Sequence, residues 1–206
     1  MKKKVSILFG LFALCFITGC TGTPELSYNG NDLLYACTDE QVSLFRKNVN
    51  VSITDKQSFV YFNNNSEMKE FTNGLLEINN DNRIEVSKCY FVKKDEITEN
   101  EFSSKSSIAF RDPTEGGMKL TIKGTYSYKI IDSKTFIENY TTTEKMTNAV
   151  YTQINAIFVA NMGTKTFAEL SNEKEYSQER LNALNSTITN KYGIEVTSVN
   201  INLEKN

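Results

Sequence analysis

The chain has no histidine and no tryptophan, only two prolines and only four cysteines in 206 residues. Without histidine there is no imidazole base near neutral pH, and the commonest metal ligand is missing. Ser/His/Asp and Cys/His nucleophilic arrangements are therefore excluded. Asp95, Glu96, Glu99 and Glu101 cluster, and paired carboxylates can hydrolyse glycosides. With no tryptophan platform nearby, they read as a solvated acidic loop. Gly116-Gly117 has neither the lysine nor the strand-to-helix setting of a phosphate-binding loop. No catalytic residue, cofactor or metal ligand set is nominated, and the chain is expected not to be an enzyme.

The first twenty residues carry the strongest positive signal. Lys2, Lys3 and Lys4 precede an apolar run from Val5 to Ile17, then Thr18, Gly19 and Cys20. A basic start and about a dozen apolar residues form a secretory signal, too short for a permanent membrane span. A branched aliphatic residue, two small residues and a cysteine resemble the bacterial lipobox. That resemblance implies cleavage after Gly19 and lipid attachment at Cys20. Each buried acyl methylene contributes ~0.8 kcal/mol, so two or more chains hold a protein stably to a membrane. The expected location is the extracytoplasmic face of a cell membrane, with the lipid on Cys20 as the anchor.

Three of the 23 basic residues and none of the 25 acidic ones lie in residues 1–19, leaving 20 against 25, a formal charge of −5. That balance argues against a nucleic-acid partner, which calls for a basic face. Removing 19 of 206 residues leaves 187, enough for one domain with a sizeable core. The expected organisation is a signal peptide over 1–19, a lipidated N-terminus and tether over 20–40, and a folded domain over 41–206. Within the tether, Thr21 to Asn31 is polar and carries Gly22, Pro24 and Gly30. Cys15 leaves with the signal, so Cys37 and Cys89 remain for pairing. The apolar neighbours Tyr90 and Phe91 favour two free thiols over a disulfide, which stays the alternative.

From about Val49 to Asp132 the apolar residues have the period of strands. Val49–Ile53 alternates, Phe59–Phe62 runs into a turn at Asn63-Asn64-Asn65, and strands are expected over Phe71–Ile78 and Ile84–Val92. After the turn Asp112–Gly117, even-numbered residues from Met118 to Ile130 are apolar while Lys119, Thr121, Lys123, Thr125, Ser127 and Lys129 face the other way. The lysine side reads as a solvated sheet face. Gly124 interrupts the apolar side without shifting register, which predicts a bend or a close approach. Beyond Asp132 the period becomes helical. Asp132 or Ser133 caps a helix to Tyr140, and Thr141–Glu144 and Thr166–Glu169 have capping-box spacing. Ser177 opens a last helix that Gly193 ends. The closing strand, Ile194 to Leu203, slips its apolar register by one residue, which predicts a bulge near Thr197-Ser198. There is no internal repeat, coiled-coil heptad or second long hydrophobic run.

Phe59–Asn64 followed by Phe71–Gly74 resembles the opening hairpin of a band-7, or SPFH, domain, found in stomatins, prohibitins and flotillins. The closest likeness is to the bacterial virion-core-protein-like branch. The order continues through Cys89–Lys94, Ile108–Asp112, Leu120–Ile130 with Asp132 and Phe136, and the closing Tyr192–Val196 with Val199 and Ile201. The resemblance implies an α+β fold: a curved, mainly antiparallel sheet with C-terminal helices packed on it and a closing strand. It also implies a membrane-tethered, non-catalytic domain that self-associates and organises or restrains membrane proteins. The partners expected are the membrane, further copies of the chain and an unidentified membrane protein. The alternative is a solute-binding or surface-recognition lipoprotein, which calls for a ligand-sized pocket.

Overall fold

The computed structural model describes residues 22–104, 107–139, 143–163 and 165–206, with side chains left out at 143–145. The expected signal peptide, Cys20, and Thr141 and Thr142 of the second capping box lie outside the described residues. Eleven strands and five α-helices follow: β1 Glu25–Leu26, β2 Leu34–Ala36, α1 Asp39–Ser43, β3 Val49–Ile53, β4 Gln57–Phe62, β5 Met68–Phe71, β6 Gly74–Ile78, β7 Lys88–Lys93, β8 Thr98–Ser103, β9 Ile108–Asp112, β10 Gly116–Ile130, α2 Ser133–Asn139, α3 Thr143–Met162, α4 Phe167–Asn172, α5 Gln178–Tyr192 and β11 Ile194–Lys205. The fold is α+β with mostly antiparallel sheets, C-terminal helices and a final strand, as expected. The strands divide among three hydrogen-bonded sheets, with orders β1-β3-β6, β2-β7-β4-β5 and β11-β10-β8, and β9 also pairs with β10.

Two cores meet at the second sheet. Phe59, Cys89 and Phe91 point one way, toward Val49, Val51, Ile53, Ile78 and Phe45. Val60 and Val92 point the other way, into a larger core shared with Ile122, Tyr126, Ile130, Val150, Ile154, Leu184 and Ile188. Continuous apolar runs such as Phe59-Val60 and Phe91-Val92 are what a strand buried on both faces requires. Helix α2 lies against β4 and β5, while α3 and α5 cover the inner face of β8, β10 and β11.

Local chemistry explains the boundaries. Asn63 Oδ1 accepts from the amides of Asn65 and Glu67, closing the β4–β5 turn. Thr166 and Glu169 form the reciprocal capping box expected of them, and Ser177 caps α5. At the start of α2 the cap is Asp132, whose Oδ1 accepts from Thr135 N–H at 3.1 Å. Gly193 ends α5 at φ +68°, and a Cβ there would lie 2.2 Å from Asp132 O. The bulge falls at Thr197: Ser127 faces Ser198, and Tyr128 faces Val196.

Four elements depart from expectation. Residues 25–36 are not a tether but hold β1 and β2, with Leu26 and Tyr28 buried. Phe71 to Ile78 is two strands broken at Gly74, whose φ is +86°. Residues 84–87 precede β7 without joining it. Glu99 and Glu101 lie on β8, an edge strand, and not in a loop.

The close approach predicted at Gly124 is present. A Cβ added there would sit 1.9 Å from Asn200 O and 2.9 Å from the Phe102 ring, whereas Gly117 on the same strand faces open space. Gly124→Ala is expected to cost about 1–3 kcal/mol by overpacking, and Gly117→Ala to stay within about 0.5 kcal/mol of wild type. Urea unfolding of both variants measures the contrast.

Candidate functional site

The N-terminal arm is built into the smaller core. Pro24 O accepts from Asn50 N–H at 2.8 Å, and β1 runs parallel to β3. Tyr28 stacks on Tyr35 with ring centroids 4.5 Å apart and tilts against Phe91. Its carbonyl accepts from Gln57 Nε2 at 2.8 Å, and its hydroxyl accepts from Asp32 N–H at 2.9 Å. Burial raises the phenol above its ordinary pKa. The arm continues into β2, antiparallel to β7. Thr38 and Gln41 then form a capping box that starts α1, and Tyr35 OH donates to the same Gln41 oxygen at 3.1 Å.

Cys37 and Cys89 meet at the end of this arm. The β2–β7 register runs Leu34 to Val92, Tyr35 to Phe91 and Ala36 to Tyr90. One step on, Cys37 N–H donates to Cys89 O at 2.9 Å. Both side chains are thiols; Cys89 is buried and Cys37 half-buried. A thiol–thiol hydrogen bond, then burial, push the Cys37 thiol well up from its ordinary value. Cys20 lies outside the described residues.

The polar face of the long hairpin is internally neutralised. Lys123 pairs with Glu204 at 2.6 Å and Lys129 with Glu195 at 3.0 Å. These are surface pairs of small energetic weight. Of the clustered carboxylates, Glu96 meets Lys93 at 3.0 Å, while Glu99 and Glu101 project from an exposed edge. Among the described residues no group of three or more Cys, Asp or Glu is arranged to hold a metal ion. The large exposed apolar side chains, Leu75, Ile97 and Val159, sit on three separate segments. No described helix is long and apolar enough to cross a membrane.

A cavity of about 370 Å³ lies beside the smaller core, lined by Phe45, Arg46, Asn64, Arg83, Ile84, Glu85 and Val86. Its polar groups engage one another: Arg83 donates to Arg46 O, and Asn64 Nδ2 donates to Glu85 Oε2 at 2.5 Å. It is a polar surface recess, unlike the enclosed apolar pocket of a typical small-molecule site.

Asp112 is the most heavily engaged carboxylate, and sequence reasoning passed over it as a turn residue. Its Oδ1 accepts from Thr114 N–H, Thr114 Oγ1 and Glu115 N–H at 2.7–2.9 Å. Oδ2 accepts from Phe167 N–H, the first amide of α4, at 2.5 Å. The Asp-Pro-Thr turn is the signal that points to it, since aspartate commonly folds back on its following amides. These donors, Phe167 first, hold the carboxyl far below its ordinary pKa. A carboxylate so occupied ties the β9–β10 turn to α4. A depressed pKa contributes stability above the unfolded carboxyl value, about 3.9, and that contribution is lost as pH falls below it. Asp112→Asn would present an amide N–H to Phe167 N–H. It is expected to lower the melting temperature at pH 7 and to flatten the loss of stability below about pH 4, read by thermal melts from pH 7 to 2.5.

Comparison with known proteins follows this geometry. No curated protein matches the chain. A family model described as the SPFH domain-Band 7 family matches residues 83–205. The matched span runs through β7 to β11, including the long β10–β11 pair, the bulge at Thr197 and the helices that cover them. Strands β3 to β6, where the sequence resemblance began, lie before it. With more than half of its length matched, the chain belongs to the SPFH domain-Band 7 family.

Proposed function

We propose that this chain is a lipid-anchored, extracytoplasmic scaffold or adaptor that organises or restrains membrane proteins through protein–protein contacts. The family match over residues 83–205 carries the reading, because SPFH domains are in general membrane-associated scaffolds and not enzymes. The Lys2–Cys20 pattern supports the anchor, and the run of strands resembling the virion-core-protein-like branch supports a bacterial origin. Pro24, where the backbone joins β3, is four Cα steps on from Cys20, with only Thr21, Gly22 and Thr23 between them. Fully extended, those steps span at most ~14 Å, so lipid on Cys20 holds the smaller core next to the bilayer surface. Confinement to a plane raises the effective concentration of neighbours, so lateral contacts too weak in solution become productive.

Fractionation of cells followed by native mass measurement of the detergent-solubilised protein tests both parts. Wild type is expected in the membrane fraction, carrying acyl chains, as an assembly of many copies. Cys20→Ala is expected to lose the acyl mass and leave the membrane. A lipidated monomer would overturn the self-assembling scaffold and turn attention to the Arg46–Arg83 recess as a solute site.

A further inference from the structure

We propose that Cys37 and Cys89 are an oxidisable pair whose disulfide fastens the N-terminal arm to β7. Three observations carry it. The two residues oppose each other across antiparallel strands, joined by the Cys37 N–H to Cys89 O bond of 2.9 Å. Hydrogen-bonded opposite residues hold their Cα atoms about 5.5 Å apart, inside the roughly 4.4–6.8 Å window of disulfides. Both side chains belong to the same apolar cluster. Cys37 is the more open of the two, which gives an exchanging disulfide a point of entry.

The rest of the chain favours this pairing. With Cys15 in the signal segment and Cys20 acylated, no third thiol competes. The bond also lies where the anchor would pull. Residues 24–37 are the path from the lipid to the folded body, held by β1, by Tyr28 and by the β2–β7 ladder. A cross-link at Cys37 passes load directly into β7, a strand buried against both cores.

The chemistry balances as thiol–disulfide exchange. The Sγ–H bonds of Cys37 and Cys89 are lost and one Sγ–Sγ bond forms. Two electrons and two protons pass to a disulfide oxidant, which is cleaved to two thiols. For that oxidant in the cell, the inference rests on the extracytoplasmic location proposed above.

The test uses the protein isolated from its membrane, acid-quenched, alkylated in denaturant and peptide-mapped. A portion is then reduced, unfolded and refolded with reduced and oxidised glutathione. The expected result is a Cys37–Cys89 cross-linked peptide in both samples. Reduction is expected to lower the melting temperature by about 10 °C, from closure of the loop between the two cysteines. Cys37→Ala, at the half-buried position, is expected to fold and to be insensitive to reductant. Two alkylated thiols after refolding, or a bond between chains in place of one within the chain, would overturn the pairing. A bond in the refolded sample with free thiols in the membrane-isolated one would support the pairing and refute the extracytoplasmic location.

Discussion

The sheet of β2, β7, β4 and β5 has no solvent face along its centre, and the remaining layers are arranged around that constraint. Phe59, Phe91, Val60 and Val92 are fully buried, two on each side. Burying a side chain of this size contributes about 1.5–3 kcal/mol, and neither side keeps that contribution without a cover. The longer hairpin β10–β11 and helices α2, α3 and α5 supply one cover. The N-terminal arm, β3 and β6 supply the other. The arm sets Tyr28 against Phe91, so residues 24–37 are structural in the same sense as the helices, although they include the polar run Asn29-Gly30-Asn31-Asp32.

How much of this was legible follows from whether a signal is local. The bulge at Thr197 and the helix end at Gly193 were readable because each rests on residues next to one another in sequence. A one-residue slip in alternation has a single local cause. The capping box at Thr166 is four residues long and complete in itself. The arm was not readable in that way. Leu26 and Tyr28 sit among glycines, asparagines and prolines, and β1 has two residues whose only pairing is to β3, more than twenty residues on. No period exists over two residues, so burial there is decided by tertiary contact alone. Thr38-Asp39-Glu40-Gln41 did carry a capping-box signature, overlooked because the segment around it was taken as tether.

Strand β8 failed for a different reason. Thr-Glu-Asn-Glu-Phe-Ser has one buried apolar residue, Phe102, and its glutamates belong to an exposed edge. Charged residues on an edge discourage pairing with another chain, so the composition that hides the strand from a propensity reading also protects it. The other edge of this sheet is covered more directly. Asn185 both donates to and accepts from the Val196 backbone at 2.8 Å, its amide standing in for a neighbouring strand, and residues 174–176 cover β11 near Asn200. The middle of β11 therefore offers little open backbone for a further strand to pair with.

On the reading proposed above, the site that matters most is the attachment at Cys20. Lys123 and Lys129 of the long hairpin are paired with Glu204 and Glu195, and Asp112 at the β9–β10 turn accepts four hydrogen bonds. The matched family span begins at Arg83, and the arm is held from both sides of that boundary, by β3 and Gln57 before it and by β7 within it. Strand β7 belongs to both cores: Cys89 and Phe91 receive the arm, and Val92 reaches into the helical core. Leu33 and Leu34 of the arm also pack against that larger core. On the same proposed reading, a lipid on Cys20 a few residues from β1 and the contacts of the arm with β7 would together fix how the domain stands on a membrane, and that orientation is what a scaffold needs before weak side-chain contacts can select a neighbour.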